Sequence, residues 1–427
     1  MNNLTIRGGR VIDPANQVDA VRDVFVRDGK IAAEPVADAP VVEAKGLVVT
    51  PGLIDLHVHL REPGRGDKET IETGTRCAAF GGFTSVVCMP NTSPAADNTG
   101  TIAFIKQRAA AVGCVNVLPA GAITKNLEGT ELAPIGSLKR AGVVAITDDG
   151  RCVQNNEIMR RALEYAKMFE LPLMDHCQDN NLVSDGVMHE GYWSHLLGMK
   201  GWPSIGEEII VARNIMLAEL TDWHVHCQHL SSAGSVRLVR EAKKRGVKIS
   251  AEACPHHFTL TDKSCKGYDT NFKMSPPLRE PRDVEAILEG LADGTIEVIC
   301  SDHAPHCAFE KEVEFDKAPF GILGLETELA LSLMALVHKK LLTLPQLIGK
   351  FTTGPARLLR LNKGTLSVGA DADITVMDPA REWVYDVNQT SSKSRNTPFH
   401  GWQLKGKAVT TIVGGRVVWP VQRACVG

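Results

Sequence analysis

Hydrophobic and polar residues alternate in short stretches at both ends of the chain. Residues 1–50 contain the segments LTIRGGRVID, DVFVRDGKIA and LVVTPG, and turn residues such as Gly8-Gly9 and Asp28-Gly29 interrupt them. From about residue 364 the segments DITVMD and AVTTIVGGRVVW repeat this pattern. Alternation bounded by turn residues is typical of β-strands. We therefore predict that residues 1–51 and 356–427 pair into one small β-sandwich domain.

The middle of the chain, residues 52–355, has short apolar runs that alternate with longer amphipathic stretches. The runs include TSVVCMP, GVVAIT, LPLMDH, WHVHCQH, KISAEAC and IEVICSDH, and the stretches include NNEIMRRALEYAKMFE, SIGEEIIVARNIMLAEL and AGSVRLVREAKKRG. In the last stretch Val236, Val239 and Ala242 fall on one helical face. Repeated strand–helix alternation predicts an α/β protein with a parallel sheet, and the length favours a closed (β/α)8 barrel. An open doubly wound sheet is the alternative, although no G-x-G-x-x-G follows the first strand.

Length, composition and charge narrow the class of protein. The chain has 427 residues, of which 44% are hydrophobic and 23% charged, as in ordinary globular proteins. A net charge of −3 gives no reason to expect nucleic acid or an anionic membrane as a partner. No run approaches the roughly 20 apolar residues that cross a bilayer, and the segment MNNLTIRGGRVID has no apolar h-region with a cleavage site. We expect a cytoplasmic protein whose 11 cysteines are free thiols.

Several apolar runs end in a side chain that can bind a metal ion. His57 and His59 in LIDLHVHLR are two residues apart, so on a strand they point to the same side. Four other runs end in the following residues: Asp148-Asp149, His176, His229 and Asp302. In a barrel such residues meet at the C-terminal face, where imidazole and carboxylate suit one or two divalent ions. Taken singly, each could instead be structural, such as a hydrogen-bonded histidine pair or an Asp-Asp-Gly turn.

A site of this composition predicts hydrolysis of an amide-like bond without an organic cofactor. A divalent ion makes hydroxide available from water near neutral pH and polarises a carbonyl. Asp302, at the last ligand-bearing strand end, is the candidate general acid/base that carries the proton from the nucleophile to the leaving nitrogen.

Longer motifs resemble a known family. PGLIDLHVHLREPG, SDHAPH and GTLSVGADADITVMDP resemble the amidohydrolase superfamily. More narrowly, HVHLREPG, MPNT, TDDG, CPHHF, APFGILGLET and GWQLKGKAVTTIVGGRVV resemble bacterial class I dihydroorotases, from about residue 4 to 420. The resemblance implies a (β/α)8 barrel with a small β domain built from both chain ends. It also implies zinc-dependent, reversible cyclisation of N-carbamoyl-L-aspartate to (S)-dihydroorotate in de novo pyrimidine (UMP) biosynthesis.

The resemblance also implies roles for individual residues. His57, His59 and Asp302 would bind a first zinc ion, His176 and His229 would bind a second, and Asp149, chosen over Asp148, would bridge the two. Related hydantoinases bridge with a carboxylated lysine. The implied substrate contacts are Arg61, Asn91, Ser275, His306 and the backbone of Phe320 and Gly321.

Two of these substrate contacts have a physical argument of their own. Arg61 lies two residues past His59, on the same side if the strand continues, where a guanidinium could hold a substrate carboxylate bidentately. Ser275 in MSPPLR stands where many relatives have asparagine, so one substrate hydrogen bond is expected to be lost or rerouted.

Other histidines and one cysteine are predicted to be structural. His224 and His226 precede His229 and are expected to pack or to support the ligands. Adjacent His256 and His257 would point to opposite sides of a strand. The sequence does not decide whether His303 orients Asp302 or packs in the interior. Cys177 would need a rearranged backbone to reach the metal.

Alternative functions also remain. An allantoinase or hydantoinase is the main rival, although Arg61 and the aspartate bridge favour an acidic substrate. A non-catalytic, dihydroorotase-like partner of aspartate transcarbamoylase would be expected to lose metal ligands, whereas all six are present. An active enzyme could still bind that partner, and a homo-oligomer is also expected. We further hypothesise that residues 307–321 form a lid.

Overall fold

An eight-stranded parallel sheet forms the centre of the computed structural model, which describes residues 2–420. We number its strands in chain order as barrel strands 1 to 8: Leu53–Val58, Phe83–Cys88, Asn116–Gly121, Ala145–Ile146, Leu173–Asp175, Val225–Cys227, Ile249–Ala253 and Val298–Ile299. A parallel bridge between Val58 and His303 brings strand 1 beside the segment after strand 8, and His59 N donates to His303 O at 2.9 Å. The predicted (β/α)8 barrel is therefore confirmed, and the open sheet is wrong.

Helices cover the outside of the barrel. The longer α-helices are Ile71–Gly81, Thr99–Val112, Ile135–Ala141, Asn156–Met168, Ile205–Thr221, Ala233–Lys244, Pro281–Asp293 and Leu344–Phe351. Shorter ones are Asn180–Val183, Tyr192–Leu197, Pro255–Thr259, Ala308–Lys311, Glu328–Ser332 and Thr353–Leu358. Helix Ala233–Lys244 begins where the Ser232 hydroxyl accepts from Ser235 N, and it buries Val236, Val239 and Ala242 as the periodicity predicts.

A second sheet joins the two ends of the chain. Its strands are Leu4–Asp13, Val18–Arg27, Lys30–Ala32, Val41–Glu43, Val48–Pro51, Ile374–Val384, Gln403–Val413 and Arg416–Trp419. Antiparallel pairing of Ile374–Val384 with Val48–Pro51 connects the N-terminal and C-terminal parts. The small β domain from both ends is confirmed. We keep its boundaries at 51/52 and 355/356 as a proposal, and residues 421–427 lie outside the described residues.

The connections between the elements contain shorter structures. A two-stranded parallel sheet pairs Met188–His189 with Gly201–Trp202, and a π-helical turn spans Leu333–Val337. Within residues 2–420, no helix is both long and apolar enough to cross a membrane. The cytoplasmic location stays a prediction. The ten cysteines in this range are free, and Cys425 lies outside it.

Candidate active site

The residues predicted to bind metal lie together at the C-terminal mouth of the barrel. His57 is the second-last residue of barrel strand 1, and His59 follows that strand directly. The loops after barrel strands 4, 5, 6 and 8 supply the other four: Asp149, His176, His229 and Asp302. All six side chains are buried. Because parallel strands end at one face of a barrel, residues far apart in sequence meet there.

One group of side chains forms around the two histidines of strand 1. His57 Nε2 lies 3.2 Å from Asp149 Oδ1 and 3.5 Å from Asp302 Oδ1. His59 Nε2 lies 3.1 Å from Asp302 Oδ1 and 3.5 Å from Asp149 Oδ2. The two imidazoles therefore face the same carboxylates, as their spacing predicts.

A second group forms on the other side of Asp149. His176 Nδ1 and His229 Nε2 are 2.9 Å apart, and they lie 3.6 Å and 3.7 Å from Asp149 Oδ1. Asp149 thus contacts all four histidines. Its neighbour Asp148 instead accepts from the backbone nitrogens of Ile123 and Thr124 at 2.8 Å and 3.1 Å. The geometry puts Asp149, and not Asp148, between the two groups.

These two groups fit divalent metal ions. The ligand atoms of His57, His59 and Asp149 all lie within 4.8 Å of one another, as do those of Asp149, His176 and His229. Zinc–nitrogen bonds of about 2.1 Å in a tetrahedron put neighbouring ligand atoms about 3.4 Å apart, close to most of the distances here. His57 Nε2 is buried without a hydrogen-bond partner, as a metal-binding nitrogen would be.

Both central carboxyl groups are anionic at neutral pH. Burial alone would raise the pKa of Asp149, but the charge of His57 and hydrogen bonds from His176 and His229 hold it well below the usual range. Burial opposes ionisation of Asp302 as well, and His57 and His59 nevertheless hold its pKa below the usual value. The site therefore offers negative charge to a cation.

A cavity of about 790 Å³ opens above the metal-binding groups. Every predicted site residue except His57 lines it: His59, Arg61, Asn91, Asp149, His176, His229, Ser275, Asp302, His306, Phe320 and Gly321. The expectation that Arg61 lies on the same side of a continuing strand as His59 is wrong. Strand 1 ends at Val58, and Arg61 has a left-handed backbone with φ 59°. Its Nε donates to Pro305 O at 3.3 Å instead. Burial lowers the pKa of Arg61 to about 10, so the guanidinium remains a cation.

Two of the proposed metal ligands also have unusual backbone conformations. His229 has φ 31° and Asp302 has φ 46°, in a region that residues other than glycine rarely adopt. Each such conformation costs about 1–3 kcal/mol and persists only where the surrounding structure enforces it. Both occur just after a barrel strand, where they turn the side chain toward the site.

One wall of the cavity contains a neutral histidine. His306 Nε2 donates to Phe320 O at 2.8 Å, and Lys68 Nζ donates to His306 Nδ1 at 3.1 Å. Burial and the charges of Arg61 and Lys68 lower the pKa of His306 to about 2. Gly321 has φ 123°, and a Cβ there would lie 2.7 Å from the Ala304 methyl. The wall therefore requires glycine at this position.

Comparison with known proteins identifies the family. A family model described as "Dihydro-orotase-like" matches residues 46–235, and one described as "Amidohydrolase family" matches residues 219–419. A dihydroorotase of Pelotomaculum thermopropionicum is 56% identical over 97% of this chain and 98% of the relative. One from Endomicrobium trichonymphae is 51% identical over 98% of this chain and 100% of the relative. The chain belongs to the dihydroorotase family.

As a member of the dihydroorotase family, the chain is an enzyme of the hydrolase class within the amidohydrolases. Solved structures agree on the fold. L-hydantoinase from Arthrobacter aurescens superposes with a TM-score of 0.89 at 25% identity, over 98% of this chain and 96% of the other. Dihydropyrimidinase from Brevibacillus agri gives 0.86 at 25% identity, over 97% and 95%.

Several residues behind the proposed ligands of this dihydroorotase-family site escaped the sequence reasoning. His57 Nδ1 lies 2.9 Å from Glu252 Oε1, and His176 Nε2 lies 2.8 Å from Gln178 Oε1. Asn91, predicted only as a substrate contact, also accepts from His59 Nδ1 at 2.9 Å. The sequence does contain a signal for Glu252, which stands inside the apolar run KISAEAC. A charge buried in such a run needs a partner, so a polar contact could have been expected there.

The histidines predicted to be structural have varied surroundings. His256 and His257 lie in helix Pro255–Thr259, so the strand argument against them is wrong. Their ligand atoms and that of Cys254 lie within 4.8 Å of one another, but His257 Nε2 also donates to Pro276 O at 2.9 Å. His303 Nε2 lies 3.3 Å from Glu69 Oε2.

The Cys177 thiol and the segment predicted to be a lid complete the surroundings of the site. Cys177 Sγ donates to Asp175 O at 3.4 Å. In the segment 307–321, Lys311 Nζ donates to Pro319 O at 2.8 Å, beside the cavity. Closure of this segment stays a prediction.

We expect Lys311 to make stability depend on pH. Burial, and then the charge of Lys273, lower the pKa of Lys311 to about 7, whereas an unfolded lysine has a pKa of about 10.4. Between these values the unfolded chain binds more protons, so this group's contribution to the free energy of unfolding rises with pH. The Tm of the wild type minus that of Lys311→Met should therefore rise between about pH 7 and pH 10. A difference that stays constant, or that the exposed Lys317→Met control reproduces, would contradict this.

Proposed function

We propose that this chain is a zinc-dependent class I dihydroorotase that interconverts N-carbamoyl-L-aspartate and (S)-dihydroorotate in pyrimidine biosynthesis. The main support is the convergence of two metal-binding groups on Asp149, directly beneath a cavity that the half-buried Arg61 guanidinium also lines. Full-length relatives named dihydroorotase at 50–56% identity support the substrate. The hydantoinases match at 25% identity, which favours dihydroorotate over a hydantoin.

The six ligand residues divide into two proposed metal positions. His57, His59 and Asp302 would hold the first zinc ion, His176 and His229 would hold the second, and Asp149 would contact both. When bound, such ions polarise the ring carbonyl and lower the pKa of water toward neutrality. The acidic, histidine-rich donor set supports zinc over the harder ions magnesium and calcium, which prefer all-oxygen ligands.

Asp302 is the proposed proton carrier. Its carboxylate is ionised, lines the cavity and can accept the proton of the attacking water. As the ring C–N bond breaks, the protonated Asp302 returns that proton to the leaving nitrogen. In the cyclisation direction the same group takes a proton from the ureido nitrogen and gives it to the departing oxygen.

The remaining cavity residues are the proposed substrate contacts. The Arg61 cation would hold the substrate carboxylate, with Asn91, Ser275, His306 and the backbone of Phe320 and Gly321 around the ring. Ser275 has a shorter side chain than the asparagine that the family resemblance leads us to expect at this position. A water molecule or a neighbouring donor would therefore have to fill the difference.

Replacement of Arg61 tests the carboxylate contact. We expect Arg61→Lys to raise KM about tenfold or more with a small change in thermal stability, because lysine keeps the charge but lacks the planar fork. Steady-state kinetics on dihydroorotate and a melting curve on the same samples measure both effects. The exposed Arg65→Lys is the matched control, since Arg65 pairs with Asp67 and Glu310 outside the cavity. Unaltered KM would remove Arg61 from the carboxylate site.

The proposed activity as a whole is tested by turnover of purified, metal-replete protein on dihydroorotate, allantoin and hydantoin, with zinc counted on the same sample. Preference for dihydroorotate, abolished by a chelator, is the expected result. Preference for allantoin or hydantoin would contradict the substrate. Bound zinc without activity on any of the three would favour the non-catalytic partner of aspartate transcarbamoylase. The homo-oligomeric state and that partner stay predictions.

A further inference from the structure

A fully buried glutamate lies behind His57, inside the barrel. Glu252 is in barrel strand 7, and both of its carboxylate oxygens face histidines. Oε1 lies 2.9 Å from His57 Nδ1, and Oε2 lies 3.1 Å from His226 Nε2. A carboxylate inside a barrel is costly unless charged or polar partners satisfy it. Glu252 therefore occupies a position where an unpaired carboxylate would be strongly destabilising, directly behind a proposed metal ligand.

The direction of each hydrogen bond follows from the groups involved. A carboxylate accepts and does not donate, so His57 Nδ1 and His226 Nε2 both carry hydrogens. His226 Nδ1 lies 2.7 Å from the Ser250 oxygen, and in the neutral ring with hydrogen on Nε2 it accepts from that hydroxyl. His224 Nε2 donates to the same Ser250 oxygen at 2.7 Å. All donors in this chain of groups point toward Glu252, which is the final acceptor.

The consequence for His57 is a fixed tautomer. A histidine binds a metal ion only as the neutral imidazole, and with hydrogen on Nδ1 that form has its lone pair on Nε2, the nitrogen that faces Asp149 and Asp302. Gln228 Nε2 also lies 3.2 Å from His57 Nδ1, but a protonated nitrogen cannot accept from it. The Gln228 amide is held separately, because its Oε1 accepts from Thr147 at 2.9 Å.

We infer that Glu252 is a positioning residue that fixes the tautomer and orientation of His57 and thereby sets the metal affinity of the first position, formed by His57, His59 and Asp302. The inference rests on the proposed function in that these residues bind zinc. Carboxylates that hold a metal-binding histidine commonly contribute 10–100-fold to metal affinity. The second position, formed by His176 and His229, should keep its affinity, because the hydrogen bonds of Glu252 go to His57 and His226.

The test is stepwise zinc affinity, measured on the apoprotein by competition with a chromophoric chelator. Glu252→Ala is expected to weaken one of two zinc-binding steps by about 10–100-fold and to leave the other unchanged. Glu252→Gln keeps an oxygen that can accept from His57, so its loss should be smaller. Glu252→Asp keeps the charge but withdraws the carboxylate from His57, so it should bind more weakly than Glu252→Gln. The comparison of Glu252→Gln with Glu252→Asp still tests the role of Glu252 if Glu252→Ala does not fold.

A matched control separates positioning from general destabilisation. Glu326 is also a buried carboxylate, but it accepts from Ser391 N and the Tyr385 hydroxyl and not from a ligand histidine. Glu326→Gln should lower the Tm without changing either zinc affinity. Wild-type zinc affinity in both Glu252→Ala and Glu252→Asp would overturn the inference, as would equal weakening of both steps or the same weakening in Glu326→Gln.

Failure of the proposed function would be recognised separately. Wild-type protein that binds two zinc ions but does not turn over dihydroorotate would contradict the activity, and the affinity comparison would still decide the role of Glu252. Wild-type protein that binds no zinc would overturn both.

Discussion

Replacing Asp302 with asparagine is expected to lower kcat on dihydroorotate by a factor of about 10² or more while leaving most of the zinc bound. Asparagine keeps the size of the side chain and an oxygen beside His57 and His59, whose Nε2 atoms lie 3.5 Å and 3.1 Å from Asp302 Oδ1. An amide cannot take up and release the proton that must pass from water to the leaving nitrogen. The loss should therefore appear in turnover rather than in metal content.

The measurement is kcat with zinc counted on the same preparation. Asp316→Asn is the matched control, because Asp316 also lines the cavity but its side chain pairs with Lys317 at the protein surface. Turnover close to that of the wild type in Asp302→Asn would remove Asp302 as the proton carrier. Loss of zinc in proportion to activity would assign it a ligand role alone.

The barrel was predictable because its signal is repeated. Each strand–helix unit carries its own periodicity, and helix Ala233–Lys244 buries the three residues that its pattern indicates. Barrel strand 3, Asn116–Gly121, was not among the predicted runs, because asparagine, proline and glycine interrupt its apolar pattern. Its place follows from pairing with Phe83–Cys88 and Ala145–Ile146. Where the local sequence pattern is weak, pairing with neighbouring strands therefore determines whether a segment forms a strand.

The site was predictable only where ligand residues end a strand. His57 and His59 follow from strand alternation, whereas the direction of Arg61 depends on a left-handed backbone that no local pattern signals. Glu252 comes from strand 7 and meets His57 of strand 1 across the barrel interior. Such contacts depend on barrel closure, and a single sequence contains no record of which strands face each other. Residues such as Glu252, which act through another residue, could therefore be identified only from the structure.

The largest effect is expected for Asp149→Asn. Asp149 is the group that contacts all four histidines, through Oδ1 to His57, His176 and His229 and through Oδ2 to His59. The amide removes the negative charge between two proposed cations and places N–H donors against ring nitrogens. We expect loss of at least one zinc ion. Because metal ions supply several kcal/mol of transition-state stabilisation and each 1.36 kcal/mol is tenfold in rate, kcat should fall by about 10³ or more.

The neighbouring Asp148→Asn is the control for that experiment, since it makes the same substitution one residue away. Burial raises the pKa of Asp148 to about 6, and its oxygens accept from the backbone of Ile123 and Thr124 rather than from a histidine. Its replacement should lower the Tm and leave zinc content and kcat nearly unchanged. Two bound zinc ions and turnover within tenfold of wild type in Asp149→Asn would contradict the bridge. Equal losses in both variants would show that the TDDG turn, and not the Asp149 carboxylate, holds the two metal positions together.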